Sequence, residues 1–102
     1  MTPEGKVKAQ LDRALAKYGD ELHVFKPVQN GMGSPALDYI ICYRGHYAAI
    51  ETKAGSGQMT ARQNITADRL SLAGAAVFLV NEVTGIDHLI GWLSSVRWSE
   101  SC

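Results

Sequence analysis

The feature that most constrains the fold of this 102-residue chain is the stretch from position 38 to position 53. Two β-prone apolar segments, Tyr39–Tyr43 and Tyr47–Ile50, flank the dipeptide Arg44-Gly45. Two short apolar segments separated by a glycine-containing turn are typical of a β-hairpin. The sequence therefore predicts an antiparallel pair of strands with Arg44 and Gly45 at its tip.

This hairpin would place two carboxylates opposite each other. With a two-residue loop at 44–45, the numbers of cross-strand partners sum to 89, so Asp38 faces Glu51. Like charges that are directly opposed destabilise a sheet, which calls for a compensating cation. Strand side chains alternate with period two, so Lys53 projects from the same face as Glu51.

Two interpretations of this charged cluster remain open at this point. Carboxylate oxygens are the hard ligands that Mg²⁺ and Mn²⁺ prefer, and the adjacent lysine would supply a fixed positive charge. The alternative is a pair of solvated carboxylates at a strand end, with Lys53 as their ion-pair partner.

Composition indicates a single domain spanning residues 1–102. A chain of this length buries enough surface to fold without disulfides or metal staples, and a hydrophobic content of 46% is ordinary for a globular protein. Ten basic and ten acidic residues cancel. The net charge therefore gives no argument for a nucleic-acid partner, although it does not exclude a local basic patch.

The cysteines and the hydropathy pattern indicate a reduced, cytoplasmic protein outside the membrane. Cys42 lies within an apolar strand segment, where we expect a buried cysteine that acts as a small hydrophobe, and Cys102 is the last residue. No signal peptide and no apolar run near 18 residues is present in the sequence.

The remaining elements follow from periodicity and capping signals. Thr2 and Pro3 begin a helix that Gly19 ends, and Pro27 follows a strand placed at a sheet edge. The predicted order is helix, three strands, helix, strand, helix. The elements outside the hairpin are a first helix to Gly19, a strand at 21–28, a helix from Thr60 to Ala73, a strand at 75–80 and a helix at 84–98. The strand at 75–80 is a continuous apolar run, which predicts burial on both faces.

Two polar residues on the predicted helices point toward the core. Glu4 extends the apolar stripe of the first helix, although an acid in a first turn also complements the helix dipole. Gln63 occupies the third position after Thr60, which predicts a capping box. Gln63 also shares a face with Ala67 and Leu70, so it points toward whatever the helix packs against.

With these residues in place, the sequence resembles the virus-type replication-repair nuclease (VRR-NUC) domain of the PD-(D/E)XK nuclease superfamily, from about Thr2 to Val80. The matching features are Glu4 in the first helix, a glycine-rich approach to Asp38, the Glu51-Thr52-Lys53 element after a hydrophobic hairpin, the Thr60–Gln63 helix start and the Ala73-Gly74-Ala75 step into the last strand. One departure is Leu37, which stands where the family usually has proline before the motif aspartate.

The resemblance implies an α/β fold of α+β type with a mixed sheet, namely a restriction-endonuclease-like αβββαβ core with a C-terminal helix. It implies Mg²⁺- or Mn²⁺-dependent cleavage of DNA phosphodiesters, with Asp38, Glu51 and the backbone carbonyl of Thr52 as metal ligands. Lys53 would serve the nucleophile. Glu4 becomes a carboxylate that supports the ligands or holds a second ion, and Gln63 a residue that orients the site.

Small members of this family resemble Holliday-junction resolvases, which implies branched DNA as the substrate and a homodimer as the active unit. A phage or prophage origin, and hence a bacterial cytoplasm, is implied only through the family. The alternatives are a nuclease of the same fold that acts on flaps, ends or nicks, a non-catalytic DNA-binding module, and a structural domain without a nucleic-acid role.

Overall fold

The computed structural model describes residues 1–28 and 33–99 of the chain. Part of the glycine-rich approach predicted before Asp38, at 29–32, lies outside these described residues, as does Cys102. The elements in chain order are α1 (Pro3–Ala16), β1 (Leu22–Phe25), β2 (Tyr39–Tyr43), β3 (His46–Thr52), α2 (Ala61–Leu72), β4 (Ala76–Val80) and α3 (Asp87–Ser95).

A mixed four-stranded sheet with strand order β1-β2-β3-β4 is the centre of the fold. Strands β1, β2 and β3 form an antiparallel meander, and β4 joins β3 in parallel after the crossover through α2. A parallel return requires a crossover connection, which α2 provides. The predicted α+β architecture with a mixed sheet and a C-terminal helix is confirmed.

The two faces of the sheet are covered by different helices. On one face, Leu11 of α1 and Leu89 and Leu93 of α3 join Ile41 and Ile50 in the larger hydrophobic core. On the other face, a smaller core unites Leu37, Ala49 and Ala67, with Leu70 and Val77 packed against it. Burial of this apolar area, at about 25 cal/mol per Å², is the main force that holds the layers together.

Helix α2 covers only the β3 and β4 half of its face, and this overturns one expectation from the sequence. Cys42 on β2 is exposed rather than buried, and Phe25 on β1 is 54% exposed. An apolar strand segment does not reveal how far the next helix extends across it.

Two further expectations need correction. Strand β4 was predicted to be buried on both faces, but it lies parallel to β3 at the edge of the sheet, and its residues from Ala76 to Leu79 are half-buried. Helix α3 begins at Asp87 and ends at Ser95, so it is shorter than the predicted 84–98 span. The residues before it, from Asn81 to Gly85, form a turn stabilised by the Asn81 side chain and backbone.

None of the helices formed by residues 1–28 and 33–99 has the length and apolar character of a membrane-spanning helix.

Candidate active site

The hairpin turn fixes the register that brings the two predicted acids together. Tyr43 pairs with His46 and Tyr39 with Ile50, so the partner numbers sum to 89 as the sequence predicts. The turn residues Arg44 and Gly45 both have positive φ, 53° and 81°. This is the backbone of a type I′ turn, whose twist matches that of the strands it joins.

Asp38 lies directly before β2, and its side chain accepts a hydrogen bond that a backbone carbonyl would accept if the strand pairing continued. Its Oδ2 accepts hydrogen bonds from the backbone N–H of Thr52 at 3.0 Å and from the Thr52 hydroxyl at 2.7 Å. In this register the Thr52 N–H would reach the carbonyl of residue 37 if the antiparallel pairing continued. The carboxylate therefore ends the hairpin and is held against the last residue of β3.

Glu51 is buried, with 3% of its surface exposed, and three groups surround its carboxylate. The backbone N–H of Asp38 donates to Oε1 over 3.2 Å. The side-chain amide of Gln63 donates to Oε2 over 2.8 Å, and Lys53 Nζ lies 3.6 Å from the same oxygen. Glu51 is thus the point at which the hairpin, the lysine and helix α2 meet.

Burial raises the pKa of Glu51 above its ordinary value of 4.5, and the negative charge of Asp38 raises it further. The charge of Lys53 and the hydrogen bond from the Asp38 backbone oppose this rise without cancelling it. A buried carboxylate beside a second one favours the uptake of a positive charge, as a proton or as a metal ion.

Gln63 performs the two tasks that its position predicted. Its side-chain Oε1 accepts from the Thr60 backbone N–H at 3.0 Å. Its backbone N–H donates to the Thr60 hydroxyl at 3.2 Å, which completes the capping box. Its Nε2 is left to face Glu51. Because the cap fixes the orientation of the amide group, α2 and the acid are held in a defined relation.

Lys53 follows the last residue of β3 and remains tied to the sheet. Its backbone N–H donates to the carbonyl of Val80 at 3.0 Å. Its side chain is 21% exposed, so the ammonium group lies between the buried acid and solvent. A cation in this position can contact a ligand that approaches from outside.

Glu4 lies in the first turn of α1, where it is half-buried. No group of three His, Cys, Asp or Glu side chains that could hold a metal occurs among residues 1–28 and 33–99. Glu4 is therefore not gathered with Asp38 and Glu51 into a three-carboxylate cluster in this structure. Its supporting role stays a prediction, as does the metal-ligand role of the Thr52 carbonyl.

The donor set fits a hard divalent cation with a small number of protein ligands. Asp38 and Glu51 supply carboxylate oxygens from facing positions, and Asp38 Oδ1 accepts no hydrogen bond from the described part of the chain. Mg²⁺ is commonly held by one or two carboxylates, with water and substrate phosphate completing its octahedron. The pair of acids, with its raised Glu51 pKa, matches this requirement.

The histidines lie outside this site. His46 bonds to the Arg97 carbonyl, and His88 to that of Leu79. His23 is exposed on β1.

The sequence did not predict the hydrogen bonds that two residues make around this site. Thr52 was predicted only as a source of a backbone carbonyl, yet its N–H and hydroxyl hold Asp38. Asn81 is 2% exposed and bonds to the loop that follows Lys53. A buried asparagine directly after an apolar strand, with Thr84 three residues later, was the available signal for a structured turn there.

The comparison with solved structures agrees with the fold. A solved structure described as a "VRR_NUC domain" superposes with a TM-score of 0.74 and 27% sequence identity, over 89% of this chain and 97% of that chain. No protein-family model matches the sequence, and no curated protein matches it.

Proposed function

This chain is a VRR-NUC domain, and from that premise we propose that it is a nuclease that uses Mg²⁺ or Mn²⁺ to hydrolyse phosphodiester bonds in DNA. The observation that carries the proposal is the pair of Asp38 and Glu51, in which the Asp38 N–H donates to Glu51 Oε1 at 3.2 Å, with Lys53 Nζ 3.6 Å from Glu51 Oε2. A solvated pair of strand-end carboxylates would not require one acid to be buried to 3% exposure.

The reaction is in-line attack of water on a phosphodiester. A divalent ion held by Asp38 and Glu51, with the Thr52 carbonyl as a further ligand, would lower the pKa of a bound water and neutralise charge on the phosphoryl oxygens. Lys53 holds the nucleophilic water or stabilises the equatorial oxygens as a compact point charge. Gln63 orients the Glu51 carboxylate toward this shared position.

We further propose branched DNA, such as a four-way junction, as the preferred substrate and a homodimer as the active unit. The support for this is the family likeness, together with the small surface that an 11.1 kDa, net-neutral chain offers for gripping a junction. Two copies related by a twofold axis would present two sites to symmetric strands.

The test is cleavage of end-labelled DNA by the wild-type protein in Mg²⁺ or Mn²⁺, with EDTA as the control. The substrates are a four-way junction, 5′ and 3′ flaps, a nicked duplex and an intact duplex. Paired symmetric nicks on the junction are the expected result, and preference for a flap, end or nick would assign the activity to the alternative substrate class. Absence of cleavage on every substrate, with DNA binding retained, would instead support a non-catalytic DNA-binding module.

Light scattering tests the dimer separately. The expected mass at micromolar concentration is twice that of the chain. A monomer at that concentration, with or without junction DNA, would contradict paired cutting by a homodimer.

A further inference from the structure

The loop that follows Lys53 is shaped by the chain that follows β4. The N–H of Gly57 donates to the Ala54 carbonyl at 2.9 Å, which folds residues 54–57 into a turn directly after the lysine. Asn81 Nδ2 donates to the carbonyl of Gly57 at 2.9 Å. Gly55 is held from the same side, because its N–H donates to Glu82 Oε1 at 2.7 Å and its carbonyl accepts from the Glu82 N–H at 3.0 Å.

Asn81 uses the two ends of its side-chain amide for different purposes. Its Oδ1 accepts from the N–H of Val83 at 2.9 Å and from the N–H and hydroxyl of Thr84 at 2.7 and 3.0 Å, which builds its own turn. Its Nδ2 reaches across to Gly57. Since Asn81 is 2% exposed, the loss of either interaction would leave a buried polar group unsatisfied.

Gly57 lies beside the aliphatic part of Lys53. A Cβ added at Gly57 would lie 3.0 Å from Lys53 Cβ and 3.0 Å from the Ala54 carbonyl oxygen. The backbone of Lys53 is fixed by the bond from its N–H to the Val80 carbonyl. The lysine is therefore held at its backbone by the residue before Asn81, and its stem is bordered by the glycine to which Asn81 bonds.

We propose that Asn81 is a positioning residue that acts through Gly57 to keep the Lys53 ammonium group beside Glu51. A lysine side chain has four rotatable bonds, so its placement depends on what packs against its stem. A displacement of about 1 Å at a reacting group can cost about 100-fold in rate. This inference rests on the proposed nuclease function and assigns it a residue that lies outside the sequence motif.

The main variant is Asn81→Asp, which keeps an acceptor for Val83 and Thr84 and removes the donor to Gly57. The second is Gly57→Ala, which leaves the Asn81 turn intact and places a Cβ 3.0 Å from Lys53 Cβ, so that Gly57 and the Lys53 stem must shift apart. The matched control is Thr84→Val, which removes the hydroxyl that bonds to the Asn81 backbone and side chain. This control disturbs the turn without touching Gly57.

Asn81→Asp is expected to lower kcat about 100-fold and Gly57→Ala about 10-fold, because the added Cβ requires a smaller displacement. The Mg²⁺ midpoint and DNA affinity should be unchanged in both, because Asp38 and Glu51 stay in place. Thr84→Val should keep kcat within about twofold while lowering the melting temperature. In a Lys53→Ala background, Asn81→Asp should cause no further loss of kcat, since residues that act through one group are not additive. An equal loss in both backgrounds would show that Asn81 acts only on general stability and would overturn the proposal.

A readout independent of cleavage separates this inference from the proposed function. The NMR order parameter of the Lys53 ¹³Cε–H bonds should fall in Asn81→Asp and Gly57→Ala and not in Thr84→Val. If the wild type cleaves no DNA but the order parameters follow this pattern, the proposed nuclease function fails, whereas the positioning of Lys53 by Asn81 through Gly57 stands. An unchanged order parameter in a folded Asn81→Asp or Gly57→Ala protein would overturn the proposed positioning of Lys53, whatever the cleavage activity.

Discussion

Gln63 donates its side-chain N–H to Glu51 Oε2 over 2.8 Å, and the same amide caps helix α2 through Thr60. A polar residue in a first helical turn thereby sets the direction of the buried acid. The site and the helix that covers it are consequently coupled by one side chain.

This coupling predicts different consequences for two changes in the capping box. Gln63→Ala should lower the cleavage rate about 10-fold, in the range seen when partners that orient metal ligands are removed, and stability by about 1 kcal/mol. Thr60→Ala should cost about 1 kcal/mol as well, but leave the cleavage rate within about twofold, because Gln63 still faces Glu51. Single-turnover cleavage and urea unfolding measure the two effects. Equal loss of activity in both variants would show that Gln63 acts only as a cap.

The repulsion between the two acids predicts that Asp38→Asn stabilises the metal-free protein while it abolishes cleavage. Removing the Asp38 charge takes away the second cause, after burial, of the raised Glu51 pKa. The expected gain at neutral pH is up to about 1 kcal/mol, the scale of a directly opposed pair. Thermal unfolding in EDTA, beside a cleavage assay in Mg²⁺, tests both halves. A less stable Asp38→Asn protein would mean that its bonds from Thr52 outweigh the repulsion.

The raised pKa of Glu51 predicts a pH-dependent stabilisation by metal. In the metal-free protein this acid contributes stability that is fully present below its ordinary pKa of 4.5 and is lost as the pH rises through its higher folded-state value. Once Glu51 has lost its proton, a metal ion can supply the positive charge instead. The increase in melting temperature caused by Mg²⁺ should therefore be small near pH 4.5 and grow above it.

Scanning fluorimetry across the pH range, with and without Mg²⁺, measures this dependence. Glu51→Gln is the control, because an amide neither titrates nor offers a carboxylate to the ion. A Mg²⁺ effect that is independent of pH, or that persists in Glu51→Gln, would contradict the assignment of Glu51 as a ligand.

The sequence was sufficient where short-range chemistry decides the structure. The Arg44-Gly45 turn sets the register of the hairpin, and this register brings Asp38 next to Glu51 directly beyond the last pair, Tyr39 and Ile50. Neighbouring residues also determine the capping box of Thr60 and Gln63 and the helix end at Gly74, which has φ of 103°.

What the sequence could not supply depends on packing between distant elements. The exposure of Cys42 follows from how far α2 extends across the sheet, and the half-burial of β4 from its edge position. The contact between Asn81 and Gly57 joins two loops 24 residues apart. No local pattern fixes such a contact, although the turn around Asn81 is visible in the sequence.

The most direct test of the central claim is the Mg²⁺-dependent cleavage rate of a labelled four-way DNA junction by wild type and by Lys53→Ala, with the fold of the variant verified by circular dichroism. The account predicts cleavage by the wild type and a rate at least about 100-fold lower in the variant, the usual cost of removing a group that stabilises the transition state. Equal rates for the two proteins, or no metal-dependent cleavage by the wild type, would contradict it.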